Sequence, residues 1–232
     1  MAKIDEYEKL ENQLVQLKEQ FPKDMRDSLL QAGMMGKLTE QLDADTTPLS
    51  LLKNKKEYAD IIDDEELPQN WISTSIGNVF DVTMGQSPKG TTIENGTNGT
   101  EFHQGKIFFT DKYIGASNTI TTAPTKIVKP NSVLLCVRAP IGTVNITNRE
   151  ICIGRGLCGI THKEISVDYI FYLFNWLKPK FEKQGTGSTF KAISKNIVNE
   201  QSFPLPPIEE QQRIVDKLDE MLPLVDALAQ MD

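Results

Sequence analysis

The sequence is poor in what most catalytic, metal-bound and membrane proteins need. Among 232 residues there are only two histidines, His103 and His162, and neither has a partner at metal-ligand spacing, so a zinc site is not expected. Three cysteines, Cys136, Cys152 and Cys158, cannot all pair with one another, and none sits in a CxxC. They read as buried thiols of a reducing cytosol. No run approaches the roughly 18 uninterrupted apolar residues of a spanning helix. The first six residues, Met1-Ala2-Lys3-Ile4-Asp5-Glu6, carry charge where a signal peptide would need its apolar stretch. There is no serine elbow of the hydrolase type, no glycine-lysine phosphate loop and no glycine-rich dinucleotide turn after a strand. Gly185-Thr186-Gly187-Ser188-Thr189 resembles a phosphate loop only in composition, since it follows a helix instead of a strand.

Hydrophobic residues make up 39% and charged residues 25%, which suits one large folded domain, alone or with helical appendages. The net charge of −7 hides a pattern. Residues 1–70 carry 9 Lys/Arg against 16 Asp/Glu; residues 71–200 carry 14 against 9; residues 201–232 carry 2 against 7. A basic middle between acidic ends can meet a polyanion that the whole-chain charge would exclude.

Both ends have helical periodicity. Ile4, Tyr7, Leu10, Leu14, Leu17 and Phe21 are spaced by three or four, close to the 3.5-residue repeat of a coiled-coil seam. Pro22 is expected to break or restart this helix. A second stretch runs from Asp24 to about Leu42, weakened by Gly33 and Gly36 at about 1 kcal/mol each. At the other end Ile214, Leu218, Met221, Val225 and Leu228 repeat the pattern, opening after Pro207 with Glu209 and Glu210 in the first turn, where the helix dipole favours anions. Pro223 is expected to kink or end it. The two apolar stripes imply that the end helices pair, with each other or with those of another copy.

The periodicity shortens between the ends. Ile107–Phe109, Lys126–Val128, Ser132–Arg138, Gly142–Ile146 and Cys158–Ile160 read as strands, and Val167–Glu182 as a helix. Gly85–Gly105 reads as a long surface loop. The fold class is therefore α+β: residues 1–42 helical, 43–69 a linker, 70–205 a β-rich domain, and 206–232 a helix. Polar and basic side chains gather in the loops of the β-rich part: Lys89, Thr91 and Thr92; Gln104 and Lys106; Arg138; Arg149 and Arg155; Ser188, Thr189, Lys191 and Lys195. Lys, Ser and Thr are the side chains that hold phosphates, whereas Arg and Gln read guanine and adenine edges.

Two stretches carry a family resemblance. Gly187-Ser188-Thr189-Phe190-Lys191-Ala192-Ile193-Ser194 is followed by Phe203-Pro204-Leu205-Pro206-Pro207-Ile208-Glu209-Glu210-Gln211-Gln212-Arg213-Ile214-Val215. Together they closely resemble the end of a target recognition domain and the start of the following conserved helix in specificity subunits of type I restriction–modification systems. Ser28 to Glu40 resembles the end of that family's other conserved helix. Leu67-Pro68-Gln69-Asn70-Trp71 is similar to the lead-in to its recognition domain, and Gly85-Gln86-Ser87-Pro88 to its first loop.

The resemblance implies a β-rich target recognition domain flanked by long helices in antiparallel coiled-coil contact, and a cytoplasmic, non-catalytic subunit. Its partners would be double-stranded DNA, methylation subunits and nuclease subunits. S-adenosylmethionine, ATP and Mg would be held by those partners and no cofactor by this chain. DNA would be met by Lys89, Thr91, Gln104, Lys106, Arg138, Arg155, Ser188, Thr189 and Lys191, with Lys89, Lys106 and Lys191 on phosphates and Arg138, Arg155 and Gln104 on bases. Full-length members carry two recognition domains and this chain carries one, as a natural half-subunit or a fragment would; a homodimer is expected either way. Leu10, Leu14, Leu17 and Phe21 of one copy would meet Ile214, Leu218, Met221 and Val225 of the other. The rival readings are an acidic protein–protein adaptor or DNA mimic, which draws on the net −7, and a methyltransferase or nuclease, for which no catalytic motif is present.

Overall fold

The computed structural model describes residues 2–56, 67–186 and 191–228. The elements are α1 (Ala2–Met34), β1 (Ile72–Ser75), α2 (Ile76–Val79), β2 (Asp81–Met84), β3 (Ile93–Asn95), β4 (Thr100–His103), β5 (Thr119–Thr121), β6 (Ile127–Val128), β7 (Ser132–Cys136), β8 (Val144–Thr147), β9 (Ile151–Ile153), β10 (Leu157–Thr161), α3 (Val167–Gln184), α4 (Lys195–Glu200), β11 (Ser202–Leu205) and α5 (Ile208–Leu228). The protein is α+β.

Three sheets form. An antiparallel sheet has the order β2-β10-β7-β8, a mixed sheet the order β3-β5-β4-β9-β6, and β1 pairs with β11. Strand β7 explains how two layers share one wall. Its five residues are all buried, with Val133 and Leu135 packed into one core and Leu134 and Cys136 into another. A strand covered on both faces needs a continuous apolar run, which is how it reads in sequence. The larger core lies under α3, where Tyr169, Leu173, Phe174, Leu177 and Phe181 are buried against the sheet. Ser166 starts that helix by accepting from the Tyr169 backbone N–H at 3.1 Å. The smaller core sits between the two larger sheets and takes Val128, Ile151, Ile153 and Leu157. All three cysteines are free and buried.

Several expectations are corrected. Neither Pro22 nor Pro223 interrupts its helix; α1 and α5 run through them. The reason for Pro223 is packing: it is exposed, while Leu222 and Val225 beside it are buried and hold the helix in place. Helix α1 ends at Met34 instead of continuing to Leu42. Gly36 has φ +67°, the Lys37 N–H reaches Ala32 O at 2.8 Å and the Gly36 N–H reaches Gly33 O at 3.4 Å, a glycine stop that any Cβ would push into Pro68. Gly33 is a contact point instead of a weak spot, because a Cβ there would lie 3.2 Å from Ile214. The glycine- and threonine-rich stretch contains β3 and β4, with Phe102 and His103 buried. Residues 106–108 form one turn of 3-10 helix in place of the expected strand.

The end helices meet within the chain. Gly33 lies against Ile214 and Leu218, and Arg26 pairs with Asp226 at 2.6 Å, so the contact runs antiparallel. Ile214, Leu218 and Val225 are therefore buried inside this chain and do not face a partner helix, and Met221 is half-buried. Leu14, Leu17 and Phe21 are exposed, at 56%, 63% and 52%. Leu10 lies outside the described side chains.

One carboxyl group joins these parts. Glu210 is fully buried in the first turn of α5 and accepts from Trp71 Nε1 at 2.7 Å, Thr39 Oγ1 at 2.8 Å and Gln41 Nε2 at 2.6 Å. One turn on, Arg213 donates to both oxygens of Asp45, at 3.0 and 2.5 Å, and its guanidinium holds the Asp45 carboxyl below the usual carboxylate range. Residues 45–52, within the stretch read as a linker, are thus fastened down, with Leu51 and Leu52 in the large core. The acidic run Asp63–Glu66 lies outside the described residues.

Replacing Glu210 by Ala leaves the Trp71, Thr39 and Gln41 donors without their shared acceptor. The expected loss is about 2–4 kcal/mol of unfolding free energy, read from the urea midpoint. A change under about 0.5 kcal/mol, the size usual for an inert surface site, contradicts the role given to this group.

Candidate nucleic-acid interface

Five separated segments are stitched edge to edge by backbone bonds. The Gln86 N–H donates to Ile153 O at 3.0 Å and the Gly154 N–H to His103 O at 2.8 Å. The Gly156 N–H reaches Gln104 O at 3.2 Å, and the Val137 N–H reaches Gly156 O at 3.0 Å. Beyond that, the Ile193 N–H donates to Val137 O at 2.9 Å and the Ala139 N–H to Lys191 O at 3.1 Å. The result is a continuous strip running from the loop after β2, through the turns after β4 and β9 and the end of β7, to the segment before α4.

Most of the predicted residues fall on this strip. Gln104, Arg155, Arg138 and Lys191 lie on adjoining segments, Lys106 is two residues beyond Gln104, and Lys89 and Thr91 continue the loop beyond Ser87. All seven side chains are exposed. Among the described residues, Lys89, Lys106, Arg138, Arg155 and Lys191 have no carboxylate within ion-pairing distance, which leaves them available to an external anion. Ser188 and Thr189, with Gly187 and Phe190, lie outside the described residues.

Arg149 does not belong to the strip. Its Nε and Nη2 donate to the two oxygens of Glu101 at 2.6 and 2.7 Å, and the same guanidinium reaches Ile114 O at 3.1 Å and Gly115 O at 2.9 Å. It is a brace that ties β4 to the segment after Tyr113. Burial works against the Glu101 charge, but Arg149, the Ser117 N–H and His103 together outweigh it and hold the carboxyl at about 2, from an ordinary 4.5. Burial lowers the pKa of His103, so the neutral ring donates its Nε2 hydrogen to Glu101 Oε1 at 2.8 Å. This braced group stands directly beneath the Gln104–Lys106 turn.

Ser87 escaped the residue-by-residue reading. Its hydroxyl donates to Gln104 Oε1 at 2.8 Å and accepts the Arg155 N–H at 3.4 Å, which fixes the amide oxygen of the exposed Gln104 and leaves its Nε2 without a partner among the described residues. The signal lay in Gly85-Gln86-Ser87-Pro88, which was read as a family loop and not as a positioning element.

The strip sits on a fold shared with known proteins. Residues 68–228 match the family described as "Type I restriction modification DNA specificity domain", and the chain belongs to that family. Over 159 residues it is 40% identical to the putative type I restriction enzyme MjaX specificity subunit of Methanocaldococcus jannaschii, covering 66% of this chain and 37% of that protein. The HsdS subunit of Thermoanaerobacter tengcongensis superposes with a TM-score of 0.67 at 31% identity, covering all of this chain and 52% of the other. A chain solved in a study of the assembly and conformational transition of the type I R-M system superposes with a TM-score of 0.70, also at 31% identity, over 99% of this chain and 52% of its own length. The chain thus spans about half the length of these solved relatives.

The Glu101 brace makes stability depend on acid. Its folded pKa lies below the unfolded value, so its contribution is complete above pH 4.5 and is lost as the pH falls toward about 2. The full effect is about 3 kcal/mol. Urea unfolding of the wild type should lose stability steeply across that window, whereas Glu101→Gln should begin less stable and change less. Parallel pH profiles for the two proteins contradict the assignment.

Proposed function

We propose that this chain is a DNA sequence-specificity subunit of a type I restriction–modification system, reading one half of a bipartite site and docking methylation subunits, with nuclease subunits joining through them. The observation that carries this reading is a strip of backbone-bonded loops, distant in sequence, on or beside which lie five exposed cationic residues without acidic partners among the described residues, and one amide held by Ser87. Lys89, Lys106 and Lys191 are suited to phosphates, where they set register without reading sequence. Arg138, Arg155 and Gln104 carry the fork and amide donors that discriminate bases. The chain has no reaction centre of its own in this reading; S-adenosylmethionine, ATP and Mg belong to the partner subunits, and the complex works in the cytoplasm, where its DNA is. No described helix is long and apolar enough to cross a membrane.

Binding to labelled duplexes tests the reading. Affinity should fall steeply with salt, since each neutralised phosphate contributes a slope of about −0.9 in log–log form. Lys191→Ala should weaken all sequences about equally, whereas Gln104→Ala or Arg155→Ala should relax discrimination at one position by about 1–3 kcal/mol. Salt-insensitive or absent duplex binding favours the acidic adaptor instead.

In this reading two reading domains are brought together by a homodimer of the chain. Helix α1 spans about 50 Å at 1.5 Å per residue. Its exposed Leu14, Leu17 and Phe21 would meet the exposed Leu224 and Leu228 at the end of α5 of the other copy. This keeps the antiparallel coiled-coil sense and leaves Ile214, Leu218 and Val225 in their own core. A two-fold dimer of this kind reads a palindromic split site. Light scattering should give twice the chain mass at micromolar concentration, and Leu17→Asp with Phe21→Asp should give a folded monomer. A wild-type monomer, alone and with the methylation subunit, rules the arrangement out.

A further inference from the structure

Ile107 is the most exposed large hydrophobic side chain among the described residues, at 86%. A lone exposed aliphatic residue ordinarily needs no explanation. This one differs in how it is held. It is the central residue of the one-turn Lys106–Phe108 helix, which is closed by the Phe109 N–H on Lys106 O at 2.9 Å and tied across by the Gly115 N–H on Phe108 O at 2.7 Å. Phe108 packs edge-on to the His103 ring at a centroid distance of 5.4 Å, and His103 is held by Glu101, which Arg149 braces in turn. The fold therefore braces a turn whose only outward apolar product is one isoleucine. Its neighbours on the strip are Lys106, with no acidic partner among the described residues, and Gln104, whose amide oxygen is held by Ser87.

We propose that Ile107 is a specificity-determining residue that contacts the 5-methyl group of a thymine in the major groove, beside the base that Gln104 reads. This rests on the DNA-reading function proposed above and adds a chemical partner to it. The thymine methyl is the apolar feature of the major-groove edge, and an amide such as Gln104 matches the adenine edge, so the two side chains together suit A·T pairs. A β-branched side chain suits the task because it is stiff at χ1 and loses little freedom on contact. Intercalating apolar wedges accompany minor-groove readers, where a base-edge amide has less to distinguish. A single side chain flanked by exposed Gln104 and Lys106 is too small an apolar surface to anchor a protein partner.

The test uses the full chain with its methylation subunit and a duplex selected by that complex from a random-sequence pool. Each thymine of the selected half-site is replaced in turn by deoxyuridine, which removes only the methyl group. One replacement should weaken wild-type binding about fourfold, as expected for one buried carbon. The same replacement should leave Ile107→Ala unaffected, while Ile107→Val keeps part of the sensitivity. Because residue 107 is exposed, unchanged urea stability of both variants shows that folding is not the cause. If all thymines are indifferent to the replacement, or if wild type and Ile107→Ala respond alike, the proposal is overturned. Loss of 2-aminopurine unstacking in Ile107→Ala without methyl sensitivity marks a wedge and overturns it as well. A pool from which no sequence emerges overturns the DNA-reading function itself, and this proposal with it.

Discussion

Glu210 has no exposed surface, yet three side chains from different parts of the chain donate to it. Trp71 stands at the start of the β-rich domain, Thr39 and Gln41 follow the first helix, and Glu210 itself begins the last. A buried polar group of this kind is costly unless every partner is present, so it fixes one arrangement of helices and domain instead of a family of similar ones. The Arg213–Asp45 pair, one turn on, adds a second fastening between the same parts. These two contacts act together with the apolar core that joins Leu30, Met34, Ile214 and Leu218 of the end helices to the domain.

The basic residues of the domain divide into two populations. Arg149 and Lys112 are engaged with carboxylates, and they stiffen the scaffold. Lys89, Lys106, Arg138, Arg155 and Lys191 stand without such partners among the described residues. Other lysines of the region, such as Lys126, Lys129, Lys163 and Lys195, also lack a carboxylate partner among the described residues, so the unpaired charge extends beyond the strip. In the acidic ends, Asp226 and Glu220 of α5 and Asp45 of the segment after α1 are occupied with Arg26, Lys217 and Arg213.

Much of this was legible in the sequence where a local pattern was enough. The β-rich run of β7 announced a strand, though not its burial on both faces, and the spacing in α3 announced its helix. Patterns failed where distant contacts decide. Pro22 and Pro223 looked like breaks, but both helices run through them, and beside Pro223 the buried Leu222 and Val225 hold the helix in place. Ile107-Phe108-Phe109 has strand composition, yet it closes as a turn because Phe108 is held by His103 and Gly115. Arg149 and Arg155 have the same side chain six residues apart, and only the position of Glu101, 48 residues from Arg149 along the chain, separates a brace from a free guanidinium. Glu210 was legible as an anion at a helix start but not as a hub, since its partners are up to 171 residues away.

The pairing of β1 with β11, with Ile72 opposite Leu205 and Ser75 opposite Ser202, has a further consequence. It places the beginning and the end of the domain side by side, like the two ends of a clasp. Everything between them can change its loops, or be exchanged for another cassette with the same clasp, without altering the spacing at which the chain leaves and rejoins the helices. Substitution or recombination inside the clasp then alters the loops and leaves the geometry of the helices as it was.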